Sequence, residues 1–336
     1  MPLFCFLTFA GLSNTKKILV IRFSSIGDIV LTSPVVRCLR QQTGAQVHFL
    51  TKKSFAGILQ HNPYIDKIIT IEKDVAERKA ELLNENYDFI ADLHHNLRSL
   101  QVKRLLKKPS ASFPKLNIQK WMLVNLKINR MPEVHIVDRY FETVKNLGVV
   151  NDHKGLDYFI SAEDEVNEHF FPETHRNGFI AVTVGAKFGT KQMPVSKLVQ
   201  IIRRMNKPVV LLGGNEDRER ANEIGEACGI LVFDLCGKCS LGRSAAVMKQ
   251  ADAVIAHDTG LMHIAAAMKK KIYSVWGNTV PELGMYPYLP GEGSQIIEVK
   301  NLSCRPCSKI GYQKCPKSHF RCMNDIDIAA FDNLSR

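Results

Sequence analysis

The sequence predicts two α/β domains in tandem, each built on a parallel β-sheet with helices on both faces. Three observations predict this. Short, almost wholly apolar runs alternate with longer amphipathic ones, the pattern of parallel strands buried on both sides. That alternation restarts after a polar stretch around residues 171–178 that contains Pro172 and Gly178. A chain of 336 residues is also long enough for two separate cores.

In the first half, the apolar runs at 17–23, 46–51, 67–71 and 87–93 read as strands. Amphipathic runs at 29–42, 75–83, 97–106, 118–126 and 137–147 read as helices. In the second half, strands are expected at 179–184, 208–212, 230–233, 253–256 and 272–276. Helices are expected between them at 195–205, 217–228, 241–250 and 261–268. The domains then span 17–172 and 173–324, with residues 1–16 as an apolar extension and 325–336 as a tail. Ligands belong at the carboxyl edges of such sheets and between such domains.

Hydrophobic residues at 45% and charged residues at 23% exclude wholesale disorder. No apolar run reaches the roughly 18 residues that span a bilayer. The opening apolar stretch lacks the basic flank of a signal peptide. Nine cysteines, four of them crowded between Cys304 and Cys322, do not form the even, dispersed framework of an exported domain. A reducing, cytoplasmic compartment is expected.

The net charge of +12 is unevenly spread. Residues 93–132 contain no Asp or Glu, yet they hold Arg98, Lys103, Arg104, Lys107, Lys108, Lys115, Lys120, Lys127 and Arg130. Such a block suits an anionic partner, although basic runs are commonly just solvated helix faces. The complete lack of acids favours a functional surface.

Three motifs carry candidate chemistry. The first strand ends in Arg22-Phe23-Ser24-Ser25-Ile26-Gly27-Asp28, which places Asp28 at a strand-to-helix turn. Gly27 permits the turn and the serine hydroxyls suit anionic groups. Asp28 fits equally as a helix cap or as a general base. In the second half, Gly185, Lys187, Gly189 and Lys191 follow a strand and precede Pro194, a plausible phosphate cradle that is not a Walker loop. The third motif is a buried strand running into His257-Asp258-Thr259-Gly260-Leu261-Met262-His263 and an alanine-rich helix. Free N–H groups at Thr259, Gly260 and Leu261 would stabilise a diphosphate, with His263 in reach.

Together, Ser24–Asp28, Lys191…Pro194 and Asp258–His263 with Ala265-Ala266-Ala267 resemble glycosyltransferase family 9, the lipopolysaccharide heptosyltransferases. Residues 91–99, His135-Ile136-Val137-Asp138-Arg139-Tyr140 and Gly213-Gly214 add to the resemblance, in order along nearly the whole chain. It implies a GT-B fold of two Rossmann-like domains facing a cleft, and an inverting transfer of heptose from an ADP-activated donor without a catalytic metal. It further implies Asp28 as general base and Lys191, Asp258, Thr259, Gly260, Leu261, His263 and Gly214 on the donor side. Ser25, Gly27, Asn96, Arg98, Lys103, Arg104, Lys107 and Lys108 are expected on the side of an anionic, lipid-linked acceptor at the inner leaflet. The sequence departs from the family at Met193, where an aromatic is usual, at Cys239, where Thr is common, and at 278–281, which lacks the usual acid.

Cys304, Cys307, Cys315 and Cys322, with His319 as a substitute ligand, could hold a structural zinc or remain buried reduced thiols. Cys236 and Cys239 have no second pair at zinc spacing and read as a loop. Two other functions are weaker fits. An epimerase, or a transferase of another nucleotide sugar, shares the fold, but epimerisation needs more than one candidate base. A nucleic-acid binder needs aromatic platforms, and the basic stretch holds only Phe113 and Trp121. No nucleic-acid partner is therefore expected, and a nicotinamide dehydrogenase would need a glycine fingerprint that is absent.

Overall fold

A computed structural model describes residues 17–335, so the expected extension at 1–16 lies outside the described residues. The first half holds strands β1 (Lys17–Ile21), β2 (Gln46–Lys52), β3 (Lys67–Ile71), β4 (Phe89–Asp92) and β5 (Ser110–Ser112). They form one parallel sheet in the order β3-β2-β1-β4-β5. Its helices are α1 (Ile26–Val30), α2 (Ser33–Thr43), α3 (Lys79–Asn84), α4 (Leu97–Leu106), α5 (Asn117–Trp121) and α6 (Ile136–Phe141). Successive residues of a strand point to opposite faces, and β1 shows it. Ile18 and Val20 join a core with Val35, Val36 and Leu39 of α2. Leu19 and Ile21 join another with Leu82, Val102 and Leu106 of α3 and α4.

The second half repeats the plan with β6 (Ile180–Thr183), β7 (Val209–Leu212), β8 (Val232–Asp234), β9 (Ala253–His257), β10 (Ile272–Trp276) and β11 (Gln295–Glu298). Their order is β11-β10-β9-β6-β7-β8, again parallel throughout. Helices α7 (Val195–Met205), α8 (Arg218–Cys228), α9 (Leu241–Gln250), α10 (Gly260–Ala267) and α11 (Arg321–Asn324) complete it. One apolar cluster contains Val35 of α2 together with Ala265 of α10, so the core is continuous between the halves.

Several elements differ from expectation for identifiable reasons. The predicted helix 29–42 is two helices, because the chain re-caps at Thr32 and places Pro34 in the first turn of α2. The predicted helix 118–126 is α5 followed by a π turn at Met122–Leu126. The helix expected over 137–147 stops at Phe141, with one further 3-10 turn at Lys145–Leu147. Strands β5 and β11 were not anticipated: both lie at sheet edges, and β5 reads Ser-Ala-Ser with no apolar run. Residues of the expected tail pack inward. Phe331 stacks on Tyr273 of β10 at 5.7 Å, and Leu334 is buried in the same core.

Candidate active site

Strand β1 delivers Arg22 and Asp28 to the carboxyl edge of the first sheet. Ser25 is the N-cap of α1, and Asp28 is the reciprocal partner three residues on. The Ser25 N–H and hydroxyl both donate to Asp28 Oδ2, at 3.2 and 2.7 Å. The other carboxylate oxygen, Oδ1, meets Arg22 Nη2 at 2.5 Å. Arg22 is itself buried and fully engaged: it donates to Leu93 O (2.6 Å), Tyr140 Oη (3.0 Å) and Ser24 O (2.8 Å). Burial acts to raise the Asp28 pKa, but Arg22 and then Ser25 outweigh it and hold the carboxyl below its usual range. One-fifth of the Asp28 side chain remains exposed. Cap and ionised, accessible carboxylate are thus the same residue.

In the second half, α10 begins directly after β9. Lys191 ends a 3-10 turn at Gly189–Lys191 and meets Asp258 Oδ2 at 2.5 Å, while Thr279 Oγ1 donates to the same oxygen at 2.8 Å. His257 Nε2 accepts the Met193 N–H at 3.0 Å, which ties the Lys191 segment to β9. Thr259 is the N-cap of α10, yet its hydroxyl is buried without a hydrogen-bond partner. His263, one turn into α10, is 2% exposed and its Nδ1 is likewise unpartnered. Burial lowers the His263 pKa to about 4, with Lys191 adding to the effect, although Asp258 and Asp28 pull the other way. The imidazole is therefore neutral near pH 7. Two orphaned polar groups beside the free N–H groups of a helix start suit an oxygen-rich anion.

Two glycines bring these halves of the site together. A Cβ on Gly27 would come within 2.5 Å of His263 Cδ2 and 3.3 Å of Gly260 Cα. A Cβ on Gly260 would lie 2.7 Å from Ile26 Cγ2 and 3.2 Å from Gly27 N. The starts of α1 and α10 therefore touch backbone to backbone, and Asp28 lies within the electrostatic reach of His263. Of the other expected donor residues, Leu261 is half-buried in the same helix start. Gly214 lies at the end of β7, where its N–H is taken by Asp217 Oδ2 at 2.9 Å.

The residues expected on the acceptor side are less concentrated. Asn96 caps α4, accepting the Ser99 N–H at 2.9 Å. Lys103 turns inward to Asp92 Oδ2 (3.0 Å) and Ser112 Oγ (2.8 Å), so its charge neutralises a fully buried carboxylate rather than facing outward. The Arg98 guanidinium lies over the Phe23 ring at 5.4 Å. Arg104, Lys107 and Lys108 are exposed.

Lys115 and Lys120, read above only as part of the basic stretch, lie within the electrostatic reach of Asp28. Burial lowers the Lys120 pKa to about 8, with Arg139 adding to it and Asp28 opposing it. Lys115 is likewise lowered by burial, with Arg22 adding to the effect. Arg139 is buried, donates to Leu283 O at 3.1 Å, and leaves Nε and Nη1 without partners. The lack of acids from 93 to 132 was the available signal for the two lysines; nothing in the sequence marked Arg139 as unpaired.

The cysteine cluster has two expected readings, a structural zinc or reduced thiols. Among the described residues, no group of three or more His, Cys, Asp or Glu side chains is placed to hold a metal ion. Cys322 is buried in the core with Met323 and Phe331, while the Cys307 thiol donates to Cys304 O at 3.1 Å. These four thiols are free, as are Cys236 and Cys239.

Known proteins resemble this chain in sequence and fold. Lipopolysaccharide heptosyltransferase 1 of Campylobacter coli is 26% identical over 288 residues, covering 78% of this chain and 84% of that protein. The heptosyltransferase 1 of Escherichia coli K12 is 25% identical over 293 residues, covering 80% and 89%. The solved structure of E. coli ADP-heptose lps heptosyltransferase II superposes with a TM-score of 0.66 at 19% identity, over 92% of this chain and 98% of that one. E. coli heptosyltransferase WaaC with ADP gives a TM-score of 0.63 at 24% identity, over 83% and 92%. The fold is GT-B. The family pattern described as glycosyltransferase family 9 (heptosyltransferase) matches residues 75–316, which is most of the sequence, and the chain belongs to that family.

Proposed function

We propose that this glycosyltransferase moves a heptose from ADP-heptose onto a hydroxyl of an anionic, lipid-linked saccharide of the lipopolysaccharide core, with inversion at the anomeric carbon. The observation that carries the reading is the contact of α1 with α10, which sets the Asp28 carboxylate beside the anion-suited start of α10. The acceptor hydroxyl would attack the anomeric carbon and release its proton to Asp28, as the bond from that carbon to the diphosphate oxygen breaks on the opposite face. The negative charge that grows on the departing diphosphate would be met by the α10 N–H groups, the Thr259 hydroxyl, neutral His263 and Lys191. Lys191 would then exchange its partner Asp258 for phosphate oxygens, leaving Asp258 to orient the sugar together with Thr279. Lys115 and Lys120 lie within the electrostatic reach of Asp28, with Arg139 acting on Lys120, and this cationic flank would favour an acceptor bearing phosphate or carboxylate groups. Exposed Arg104, Lys107 and Lys108 would extend that preference outward.

The test is thermal stabilisation by ADP, UDP and GDP, followed by transfer assays with the corresponding sugars and a deacylated core acceptor. Stabilisation by ADP with transfer of heptose supports the reading. Stabilisation confined to UDP or GDP, or sugar turnover without an acceptor, would replace it with transfer or epimerisation of another nucleotide sugar.

A further inference from the structure

We propose that His94 orients the acceptor: its imidazole hydrogen-bonds a sugar hydroxyl beside the one that attacks, and so holds the attacking oxygen over Asp28. The assignment rests on the transfer reaction set out above and adds a residue to its acceptor side.

Two adjacent histidines, His94 and His95, follow the carboxyl end of β4. Asp92 pins the backbone of both, its Oδ1 accepting the His94 N–H at 3.1 Å and the His95 N–H at 2.6 Å. Its Oδ2 is held in turn by Ser99 Oγ at 2.8 Å, Ser112 Oγ at 3.0 Å and Lys103 Nζ at 3.0 Å. The turn is therefore fixed before any ligand arrives. The His95 ring has its own partner, with Nδ1 3.0 Å from Phe113 O. The His94 ring is different: it is half-buried, and its Nδ1 is buried without a hydrogen-bond partner. A polar ring left open in so well determined a turn marks a place for a ligand.

Position indicates which ligand. Strand β4 lies beside β1, with Asp92 in register with Ile21, so the chain at His94 leaves the sheet next to Arg22. The Arg22 guanidinium donates to Leu93 O through Nη1 at 2.6 Å and meets Asp28 Oδ1 through Nη2 at 2.5 Å. One rigid fork thus ties the peptide preceding His94 to the candidate base. Phe23 sets the angle of the imidazole, edge to face at 5.2 Å and 75°. Burial, then Arg22 and Lys115, lower the His94 pKa to about 4, although Asp28 and Asp92 pull the other way. The ring is neutral near pH 7 and carries one N–H donor and one acceptor nitrogen. That pair matches a hydroxyl, which also donates and accepts, whereas phosphate or carboxylate is better met by Lys115 and Lys120. The competing account is packing alone, in which the ring only fills space against Phe23; a phenylalanine would then serve as well.

The test compares His94→Phe, which keeps an aromatic ring against Phe23, with His94→Gln, which keeps a donor and an acceptor. Both are assayed with ADP-heptose, a deacylated core acceptor and the monodeoxy analogues of that acceptor. The expected result for His94→Phe is a loss of about tenfold in kcat/KM for the acceptor, with ADP affinity unchanged by calorimetry. His94→Gln should recover most of that loss. On the analogue that lacks the contacted hydroxyl, parent and His94→Phe should turn over alike, because neither can make the bond. The assignment is overturned if His94→Phe matches the parent on the full acceptor, if His94→Gln is no better than His94→Phe, or if ADP affinity falls with it. Loss of the same size on every monodeoxy analogue overturns it too. A parent that transfers no heptose at all removes the function and this assignment together; a parent that transfers while His94→Phe equals it removes this assignment alone.

Discussion

Arg22 and Asp28 are held at 2.5 Å on the side of the carboxylate opposite the Ser25 cap. A guanidinium so close favours the charged form of the acid, which suits a base that must be ionised before substrate arrives. Replacing Arg22 by Met removes the interaction that outweighs the effect of burial, so the Asp28 pKa rises. The acid limb of the pH–rate profile then moves to higher pH, by about 1–3 units. Arg22→Lys keeps the charge but loses the fork, and restores part of that shift. A profile that does not move in Arg22→Met would show that Asp28 takes its charge from elsewhere.

Asp28→Asn keeps the shape and the Ser25 contacts while removing the basic oxygen. The expected loss is about 10²–10⁴-fold in kcat, with the Michaelis constants of both substrates little changed. Single-turnover measurement of ADP release checks this. A residual rate near that of the parent would assign the proton to another group.

Lys191 is paired with Asp258 and lies beside His263. Lys191→Met removes one charge-assisted contact to the donor phosphates and leaves Asp258 with the Thr279 hydroxyl but without its counter-charge. ADP affinity should fall by about 10–100-fold, read by calorimetry, while the Michaelis constant for the acceptor stays where it was. Equal weakening of both substrates would mean that the lysine holds the domains together rather than the donor.

How much of this was legible in the sequence differs between parts of the chain. The central strands were plain, because Ile18–Ile21 and Val209–Leu212 are unbroken apolar runs that only a doubly covered sheet can hide. Edge strands β5 and β11 were invisible, since pairing on one side only leaves Ser110–Ser112 free to be polar. Asp28, Lys191 and His263 could be named because each sits at a strand end, where topology places function. What could not be read was which cations were already engaged. Lys103 looked like its neighbours in a basic run, yet it neutralises Asp92, eleven positions earlier in the chain. The role of Gly27 differs in kind from a turn requirement, since its helical backbone would tolerate a side chain and the packing of His263 and Gly260 forbids one.

That packing yields a graded expectation. Gly27→Ala forces a methyl group into His263 and the backbone of Gly260, an overpacking cost of about 1–3 kcal/mol. Separation of α1 from α10 should lower both the melting temperature and kcat. Gly225→Ala, in α8, meets nothing within 4 Å and should stabilise by roughly 1 kcal/mol without affecting turnover. A Gly27→Ala enzyme with normal kcat would mean that the contact between the two helix starts is dispensable.

Buried and half-buried histidines give the protein a defined acid sensitivity. Burial lowers the pKa of His263, His257 and His94 to about 4 each, with nearby cations contributing, from an ordinary value of 6.5. Between those values the unfolded chain binds protons that the folded one does not, so stability falls as pH drops. The stabilisation is complete above pH 6.5 and is lost progressively towards pH 4, at roughly 1.4 kcal/mol per pH unit for each histidine. Carboxylates with lowered pKa, such as Asp28 and Asp92, lose their contribution only below their ordinary range and so do not account for the upper part of this window. His263→Gln should reduce the slope of unfolding free energy against pH between 6.5 and 4 by one proton's worth, measured by urea titration at several pH values. An unchanged slope in that variant would place the His263 pKa near its ordinary value in the folded state, and the imidazole would then be partly charged where it faces Asp28.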